Sequence, residues 1–574
     1  MSFTIANEVS NETVAAILEN SDELVGVTVE EQYVRHYVDS TYCSQIIGYT
    51  GTVSETELAT LKAKDDSYEA NDIVGKTGIE QTLESELAGE KGSKEVYVDT
   101  VGRITEVIDE TDAAAGHDVY LTIDVNLQKQ IYTAIEDKLV EILLSNIVSN
   151  DTKYAYSSTT GNVSHVYIPI KEVYFALIDN NLVSMSKIAE GDTENERSVY
   201  SSFLSKQDSV MSWLSSELLD GNTPYGSLSE ENQVYVWYVY EMLMNEGVLN
   251  KDSIDTSNDV YTAWTDSNSV SIRQLLTESI SNGWIDMSAL TSQSYTSLDE
   301  SYELLTDYIV SNLQTDTAFF KKLYKYMIQN EQLSGRQVCM LLYEQGYLTD
   351  DGSYASLSSG AVSAYDFMYN AIQTKKITPG ELALQPCSGS CVITDPDNGD
   401  ILALVSYPSY DNNKLSGTID TEYYNKLSND NAKPLFNWAT QSQSAPGSTF
   451  KPCSSIAGLD TGIISTGTVF NCSGAFTEVT PSPKCWRLSG HGGETVTTAI
   501  RDCNVYFYNV GYKLACSKTG SYNSTTGTNI LKRYAEDLGL ATKAGIEIYE
   551  ETPHASSVNS IASAIGQGNH QFSC

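Results

Sequence analysis

Positive charge is scarce in this chain. Against 76 Asp and Glu stand 34 Lys and Arg, a formal net charge of -42 over 574 residues. So acidic a chain repels phosphate backbones and anionic headgroups, which excludes nucleic acid as a partner; otherwise the charge serves solubility. Long apolar runs are missing too. None approaches the roughly 18–20 residues of a transmembrane helix, and the start has no signal-peptide pattern. Histidine is rare, six in all. The ten cysteines, Cys43, Cys339, Cys387, Cys391, Cys453, Cys472, Cys485, Cys503, Cys516 and Cys574, form no paired Cys-x-x-Cys knuckles. A zinc site is therefore not expected. Cys472 and Cys485 flank a Gly/Thr/Pro-rich loop and could be bridged; buried free thiols account for most of the others.

What is present is a globular composition, 41% hydrophobic, and length enough for two to four domains. Up to about residue 120, short β-like runs alternate with Gly-rich turns. Ile46-Ile-Gly-Tyr-Thr-Gly51 reads as a strand ending in a turn, and Glu95–Asp99 and Val119–Ile123 alternate with period two. Gly78 to Leu87 reads as helical. Asp124 is an N-cap for a helix carrying Leu127, Ile131, Ile135 and Leu139 at helical spacing. From about 146 to 380, Gly and Pro are sparse and amphipathic runs recur: Val234–Met244, Ile272–Ile280, Tyr302–Leu313, Phe319–Ile328 and Val338–Tyr347. No fixed period marks a solenoid, and this segment reads as a helical module without chemistry. From about 388 the pattern turns β-rich again, with Cys391–Thr394 and Ile401–Val405 around the turn Asp395-Pro-Asp-Asn-Gly-Asp400. A helix is expected to start near Thr497 and carry Asn504, and another to carry Leu531, Tyr534, Ala535 and Leu538.

The most informative stretch is Ser444-Ala-Pro-Gly-Ser-Thr-Phe-Lys-Pro452. It sets Ser448 and Lys451 three residues apart at the start of a small, apolar helix, so both side chains lie on one face. A lysine whose pKa is lowered by burial can take the serine's proton, and free N–H groups at a helix start can meet a developing oxyanion. Alone, Ser-x-x-Lys also describes an ordinary helix start with an exposed lysine.

The company it keeps decides between these readings. The chain carries Gly75-Lys-Thr-Gly-Ile-Glu80, Gly102-Arg103, Leu121-Thr-Ile-Asp124 with Gln128, Asp395-Pro-Asp-Asn-Gly-Asp-Ile-Leu-Ala403, Ser406-Tyr-Pro408, Pro434-Leu-Phe-Asn437, Gly490-His-Gly492, Cys503-Asn504-Val-Tyr-Phe507 and Ala564-Ile-Gly-Gln-Gly568. In this order the motifs resemble those of a class B penicillin-binding protein, the D,D-transpeptidase that cross-links peptidoglycan. The resemblance covers both ends and skips the middle. It implies an α+β multidomain fold: a β-rich pedestal at 1–118, an entry strand and helix at 119–145, an α-helical insert at 146–380, and the first part of a serine transpeptidase α/β domain at 381–574.

Carried over residue by residue, Ser448 is the acylated nucleophile, Lys451 its proton acceptor and Asn504 the last position of the family's Ser-x-Asn motif. The first position of that motif is Asp502 instead of serine, by replacement or by loss of one residue before Cys503. An aspartate there would pair with Lys451 and weaken it as a base. The family's Lys-Thr-Gly strand should follow Gly568 by some tens of residues. Lys76-Thr77-Gly78 belongs to the pedestal motif, and Lys518-Thr519-Gly520 sits in a loop-like segment. The resemblance thus implies a piece lacking the C-terminal end and an N-terminal membrane anchor, from a protein held by a single span with its catalytic domain outside the cytoplasm.

The implied activity needs no metal or cofactor. The implied partners are peptidoglycan stem peptides, on lipid-linked precursor or nascent glycan strands, together with β-lactams and a wall-polymerase partner. A degenerate scaffold that only binds penicillin is the alternative; a small secreted β-lactamase lacks the pedestal. His491 reads as structural. Cys503 reads as packing, with no nearby histidine to lower its pKa. Tyr506, Phe507 and Tyr508 read as core, and Asp395 and Asp400 as turn residues.

Overall fold

A computed structural model describes residues 5–6, 9–20, 23–24, 26–27, 29, 35–99, 104–156, 163–290, 297–417 and 419–574. The chain divides into two units, one formed by 1–137, 388–429 and 433–574, the other by 138–387 and 430–432.

In the first unit, the N-terminal region mixes short helices with two-stranded ladders. Thr50–Thr52 pairs antiparallel with Ile73–Gly75, and Ser93–Val98 with Ile104–Thr111. Two sequence expectations change here. Ile46 and Ile47 end the helix Ser40–Ile47 rather than forming a strand. Val119–Ile123 joins no ladder despite its alternation; it follows the strand Ile401–Tyr407 through Thr122 Oγ1 donating to Ile401 O (2.7 Å) and Asp124 N donating to Leu402 O (2.9 Å). Gly102 and Arg103 lie outside the described residues.

Asp124 caps the helix Val125–Asn146, its Oδ1 accepting from the N–H groups of Asn126 and Leu127. One turn on, buried Gln128 acts as a strand substitute. Its amide donates to the carbonyls of Leu404 (2.7 Å) and Tyr42 (2.9 Å), and its Oε1 accepts from Leu404 N (2.9 Å). A side chain thus satisfies backbone groups on the edge of the hairpin Gly389–Thr394/Ile401–Tyr407. That hairpin turns where Asp395 N donates to Asp400 O and Asp395 Oδ1 accepts from Asp397 N, so the two aspartates are turn residues.

The second unit is helical apart from short ladders near its start. Its core is aliphatic and aromatic, including Leu143, Leu177, Val199, Leu214, Tyr235, Trp264, Leu305, Phe319 and Leu342. No repeat is visible in the sequence, yet one turn recurs in the structure. A helix ends in a residue with positive φ, the second residue after it is aliphatic, and its N–H donates back to a carbonyl six positions earlier. This happens at Val183→Leu177, Leu249→Leu243, Leu333→Met327, Leu348→Leu342, Val362→Ser356 and Ile377→Ala371. In five of the six cases the next residue is an N-cap: Ser184, Asn250, Ser334, Ser363 and Thr378. The bond closes one helix while the cap opens the next. The period stays hidden because the left-handed position is filled by Asn181, Gly247, Glu331, Gly346, Gly360 and Lys375 in turn.

Candidate active site

The segment leading to Ser448 is pinned before the helix begins. Ser444 and Phe572 exchange backbone hydrogen bonds of 3.0 Å, and Gly447 N donates to Gly566 O at 3.0 Å. Gly447 has φ +60°, and a Cβ on Gly566 would collide with the Gly447 carbonyl, so the approach of the two segments needs glycine at both places. Residues Gly447–Phe450 form one 3₁₀ turn, and the α-helix Lys451–Asp460 follows. In a 3₁₀ turn positions i and i+3 eclipse, which sets Ser448 and Lys451 on the same side. No side chain caps the turn or the helix start; Gly447 N–H is taken by Gly566 O, Lys451 N–H by Ser448 O, and Pro452 has none. Behind the turn, the Phe450 ring packs on His570 (4.4 Å between centroids), and Ser454 Oγ donates to Ala564 O at 2.8 Å.

Ser448 is exposed, whereas Lys451 is fully buried. Lys451 Nζ has no hydrogen-bond partner and lies 5.5 Å from the centre of the Phe507 ring. Burial pushes its pKa below the usual 10.5; Cys503, Cys485 and Asp502 pull the other way but do not cancel it. An ammonium ion so buried and unpaired is costly, so the site favours the neutral amine, which is the form a base requires. Phe507, which reads as plain core in the sequence, is also the surface against which that amine rests.

The expected helix from Thr497 is broken. Val496–Ala499 forms one short turn, and the helix Asn504–Cys516 starts anew with Cys503 as its N-cap and Asn504, half-buried, at its first position. Asp502 lies in the break. It makes no ion pair with Lys451 among the described residues; its Oδ2 lies 3.6 Å from His491 Nε2, and its carbonyl accepts from Trp486 Nε1 at 2.9 Å. Lys518-Thr519-Gly520 follows the helix Asn504–Cys516 in a turn, and Lys76-Thr77-Gly78 joins a pedestal strand to a short helix, so neither sits on a strand beside Ser448.

A second cluster, not expected from the sequence, gathers side chains that could hold a metal ion. Cys472, Cys485, His491 and Cys503 converge, with their ligand atoms all within 4.8 Å of one another. The ladder Phe470–Cys472/Gly492–Glu494 pairs Cys472 with Gly492, next to His491. His491 Nδ1 lies 3.5 Å from Cys472 Sγ and 3.6 Å from Cys485 Sγ. With Zn–S of about 2.3 Å and Zn–N of about 2.0–2.1 Å, ligand atoms around a tetrahedral zinc ion stand roughly 3.5–3.8 Å apart, so this set fits one. Burial alone would raise the Cys485 thiol, but the N–H groups of Asn504, Arg487 and Val505 point at its sulfur and hold it below its usual value; burial dominates at Cys503 and raises it to about 12. Cys472 and Cys485 are free thiols rather than a bridge, and a histidine does face Cys503 in space. The available sequence signal was three cysteines and a histidine spaced 13, 6 and 12 apart. It lacks the Cys-x-x-Cys form because its ligands come from a hairpin, a loop and a helix start.

The site's motifs can now be set beside known proteins. The penicillin-binding protein dimerisation domain model matches residues 1–121, and the penicillin binding protein transpeptidase domain model matches 389–573, together more than half of the chain. The chain belongs to the class B penicillin-binding proteins. Over 172 residues it is 34% identical to peptidoglycan D,D-transpeptidase MrdA of Haemophilus influenzae, covering 29% of this chain and 25% of that one. Penicillin-binding protein 2A of Bacillus subtilis is 36% identical over 138 residues, 24% of this chain and 19% of its own. A solved complex between PBP2 and MreC from Helicobacter pylori aligns with 97% of this chain and 59% of that chain at 14% identity, with a TM-score of 0.46. The match spans about a quarter of the length of the MrdA relatives. No helix among the described residues is long and apolar enough to cross a membrane.

Proposed function

We propose that the protein is a peptidoglycan D,D-transpeptidase acting by serine acyl transfer. Lys451 carries the reading: a fully buried amine without a hydrogen-bond partner, three residues after an exposed serine. The neutral amine takes the Ser448 proton as Oγ attacks the penultimate D-Ala carbonyl of a stem peptide. The C–N bond then breaks, the proton passes to the departing D-Ala amine, and an acyl-enzyme remains. The amine of a neighbouring stem attacks this ester, loses a proton, and releases Ser448 with the cross-link formed. Backbone N–H groups of the Ser448 turn would meet the developing oxyanion, and Asn504 takes the place of the family's motif asparagine. β-Lactams acylate the same serine. The protein works on the outer side of a membrane, held by a single span, beside a wall polymerase that supplies glycan strands.

A Zn²⁺ ion at Cys472, Cys485, His491 and Cys503 would have four protein ligands and no open position, so it would brace the loop against the helix start instead of activating substrate.

The test is covalent labelling of the full gene product with a fluorescent penicillin. Label located on Ser448 and absent in Ser448→Ala is expected. Label that survives Ser448→Ala would refute the assignment. Asp502 at the serine position favours the degenerate-scaffold alternative, which predicts penicillin labelling without cross-linking of stem peptides.

A further inference from the structure

We propose that Asn180 is a positioning residue: through it the helical unit holds the strap Asp430–Ala432, and the strap sets the irregular segment that runs into the Ser448 turn. The helical unit, which reads as a module without chemistry, thereby gains a part in acylation. That part rests on the transpeptidase reading; the hold on the strap does not.

Asn180 ends the helix Ile170–Asp179, just before the left-handed Asn181. Its side chain is buried, and both ends of its amide are bonded. Nδ2 donates to Asp430 Oδ1 at 2.9 Å and to Glu381 O at 2.8 Å, while Oδ1 accepts from Asn431 N at 2.9 Å. One residue earlier, Asp179 Oδ2 accepts from Asn431 Nδ2 at 3.1 Å. Asp430 Oδ1 also accepts from Ala432 N at 2.8 Å, and Ala432 is buried. These three residues stand far along the chain from 138–387, yet they pack as part of the helical unit. An amide that meets a backbone N–H and a carboxylate at once fixes the register of the strap as well as its place.

The recurring turn provides internal controls. The C-cap position that Asn180 fills is Glu246, Asn330, Gln345, Ser359 and Thr374 in the other five turns. Among the described residues their side-chain hydrogen bonds stay within 138–387, as where Asn330 Nδ2 donates to Glu231 Oε2 at 2.9 Å. Asn180 is the one that reaches the strap.

Past the strap, the chain from Lys433 to Pro446 has no helix and no strand apart from the Ser444 bridge. Side-chain tethers set its course. Ser406 Oγ donates to Phe436 O at 3.4 Å and accepts from Trp438 N at 2.9 Å, and Asn437 Oδ1 accepts from the N–H groups of Ala439 and Thr440. The stretch does not satisfy itself, since Trp438 Nε1 and Thr440 Oγ1 are buried without a hydrogen-bond partner. Orphans of this kind make a course costly, so it persists only where its surroundings impose it. Asn180 is the first of those restraints, and the Ser444 and Gly447 bonds at the Ser448 turn are the last.

Hydrogen–deuterium exchange and penicillin acylation of the full gene product test this together. In Asn180→Ala, protection should fall across 433–447 and not only at the strap. The first-order acylation constant of Ser448 should drop roughly 5–100-fold, with the dissociation constant of the initial penicillin complex little changed. Asn330→Ala, the matched loss at an equivalent turn, should leave both readouts at wild-type values. Asn180→Asp sets two carboxylates face to face and should be as harmful as Asn180→Ala. Adding Asp430→Asn restores a donor and an acceptor in the opposite sense and should recover most of both losses. Unchanged protection at 433–447 in Asn180→Ala overturns the positioning role, as does an Asn330→Ala variant with the same effects. A double variant no better than Asn180→Asp overturns the strap as the route. Should Asn180→Ala fail to fold, Asp430→Ala on the half-buried strap carries the same expectation. A wild type that takes no penicillin at Ser448 removes the transpeptidase reading, and the exchange of 433–447 still decides the role of Asn180.

Discussion

Residues 138–387 and residues 388–574 bury different kinds of atoms. The helical unit fills its core with Leu, Val, Ile and aromatic rings, and gives its buried hydroxyls partners: Tyr235 donates to Glu231 and Tyr302 to Leu218 O, both at 2.8 Å. The C-terminal region buries a lysine amine and a histidine nitrogen with no hydrogen-bond partner, and packs three thiols around that histidine. In the helical unit the comparable orphan among the described residues is the Trp264 indole N–H. Packing explains the first region completely. It does not account for Lys451 and His491 in the second, whose orphaned nitrogens suit a proton or an ion; that region also leaves Asn412 Oδ1, Trp438 Nε1 and Thr440 Oγ1 without partners.

The sharpest way to break this contrast is Lys451→Met, which keeps the volume and removes the amine. Penicillin acylation of Ser448 should fall roughly 10²–10⁴-fold, the usual contribution of a positioned base. In the wild type, acylation should be lost as pH falls through the depressed pKa of Lys451, where the amine takes up a proton. The unfolded chain keeps its lysine protonated up to about 10.5, while the folded chain releases that proton earlier, so the unfolded state binds more protons in between. Folding stability should therefore rise with pH across that window, and Lys451→Met should flatten the rise. A Lys451→Met enzyme that acylates at the wild-type rate would leave the buried amine unexplained.

Next in size is Leu214→Ala in the helical unit. Leu214 is fully buried, and its truncation should cost about 2–5 kcal/mol by thermal or denaturant melting. Ser448 labelling at a temperature where the protein stays folded should not change. Residues 138–387 expressed alone should give a helical circular-dichroism spectrum and melt cooperatively. Labelling that falls in step with the melt would show that the two regions unfold as one.

The two regions also differed in how much of each was legible. The Ser448 turn was readable because its chemistry is local: three residues of spacing, a glycine before and a small apolar helix after. The helix start at Asn504 was not. No Pro or Gly separates Val496–Ala499 from Asn504–Cys516, and the break between them is held by long-range contacts such as the Trp486 indole on the Asp502 carbonyl. The Cys/His cluster stayed hidden for the same reason, since a hairpin and a helix start must both form before its ligands meet. Val119–Ile123 shows the converse error: alternation marks a half-buried extended segment, but a ladder requires a partner strand, and Gln128 already occupies Leu404.

A smaller effect is expected behind the active turn. His570 Nδ1 accepts from Ser556 N at 3.0 Å, and Nε2 lies 3.2 Å from Ser563 O, so the ring is neutral with its proton on Nε2. Burial lowers its pKa from 6.5; the Ser563 carbonyl opposes this and His554 adds to it. The unfolded histidine therefore binds a proton first as pH falls. The stability His570 contributes is intact above 6.5 and is lost as pH drops through the depressed folded value. His570→Phe should remove this acid sensitivity and cost about 1–3 kcal/mol by orphaning Ser556 N–H. An unchanged acid limb in the melting curve would assign the sensitivity to other groups.

The smallest effects test whether the recurring turn of the helical unit rests on backbone conformation alone. Gly346 has φ +72°, and a Cβ there would meet nothing within 4 Å, so Gly346→Ala adds left-handed strain without a clash. It should cost about 1–2 kcal/mol. Lys375 occupies the equivalent position of another turn with φ +56°, and it already bears that strain. Lys375→Gly should therefore stabilise the unit, by about 1 kcal/mol at most, because glycine also gains entropy in the unfolded chain. Melts in which both substitutions destabilise would mean that the Lys375 side chain itself holds its turn, and that the six turns are alike in shape but not in cause.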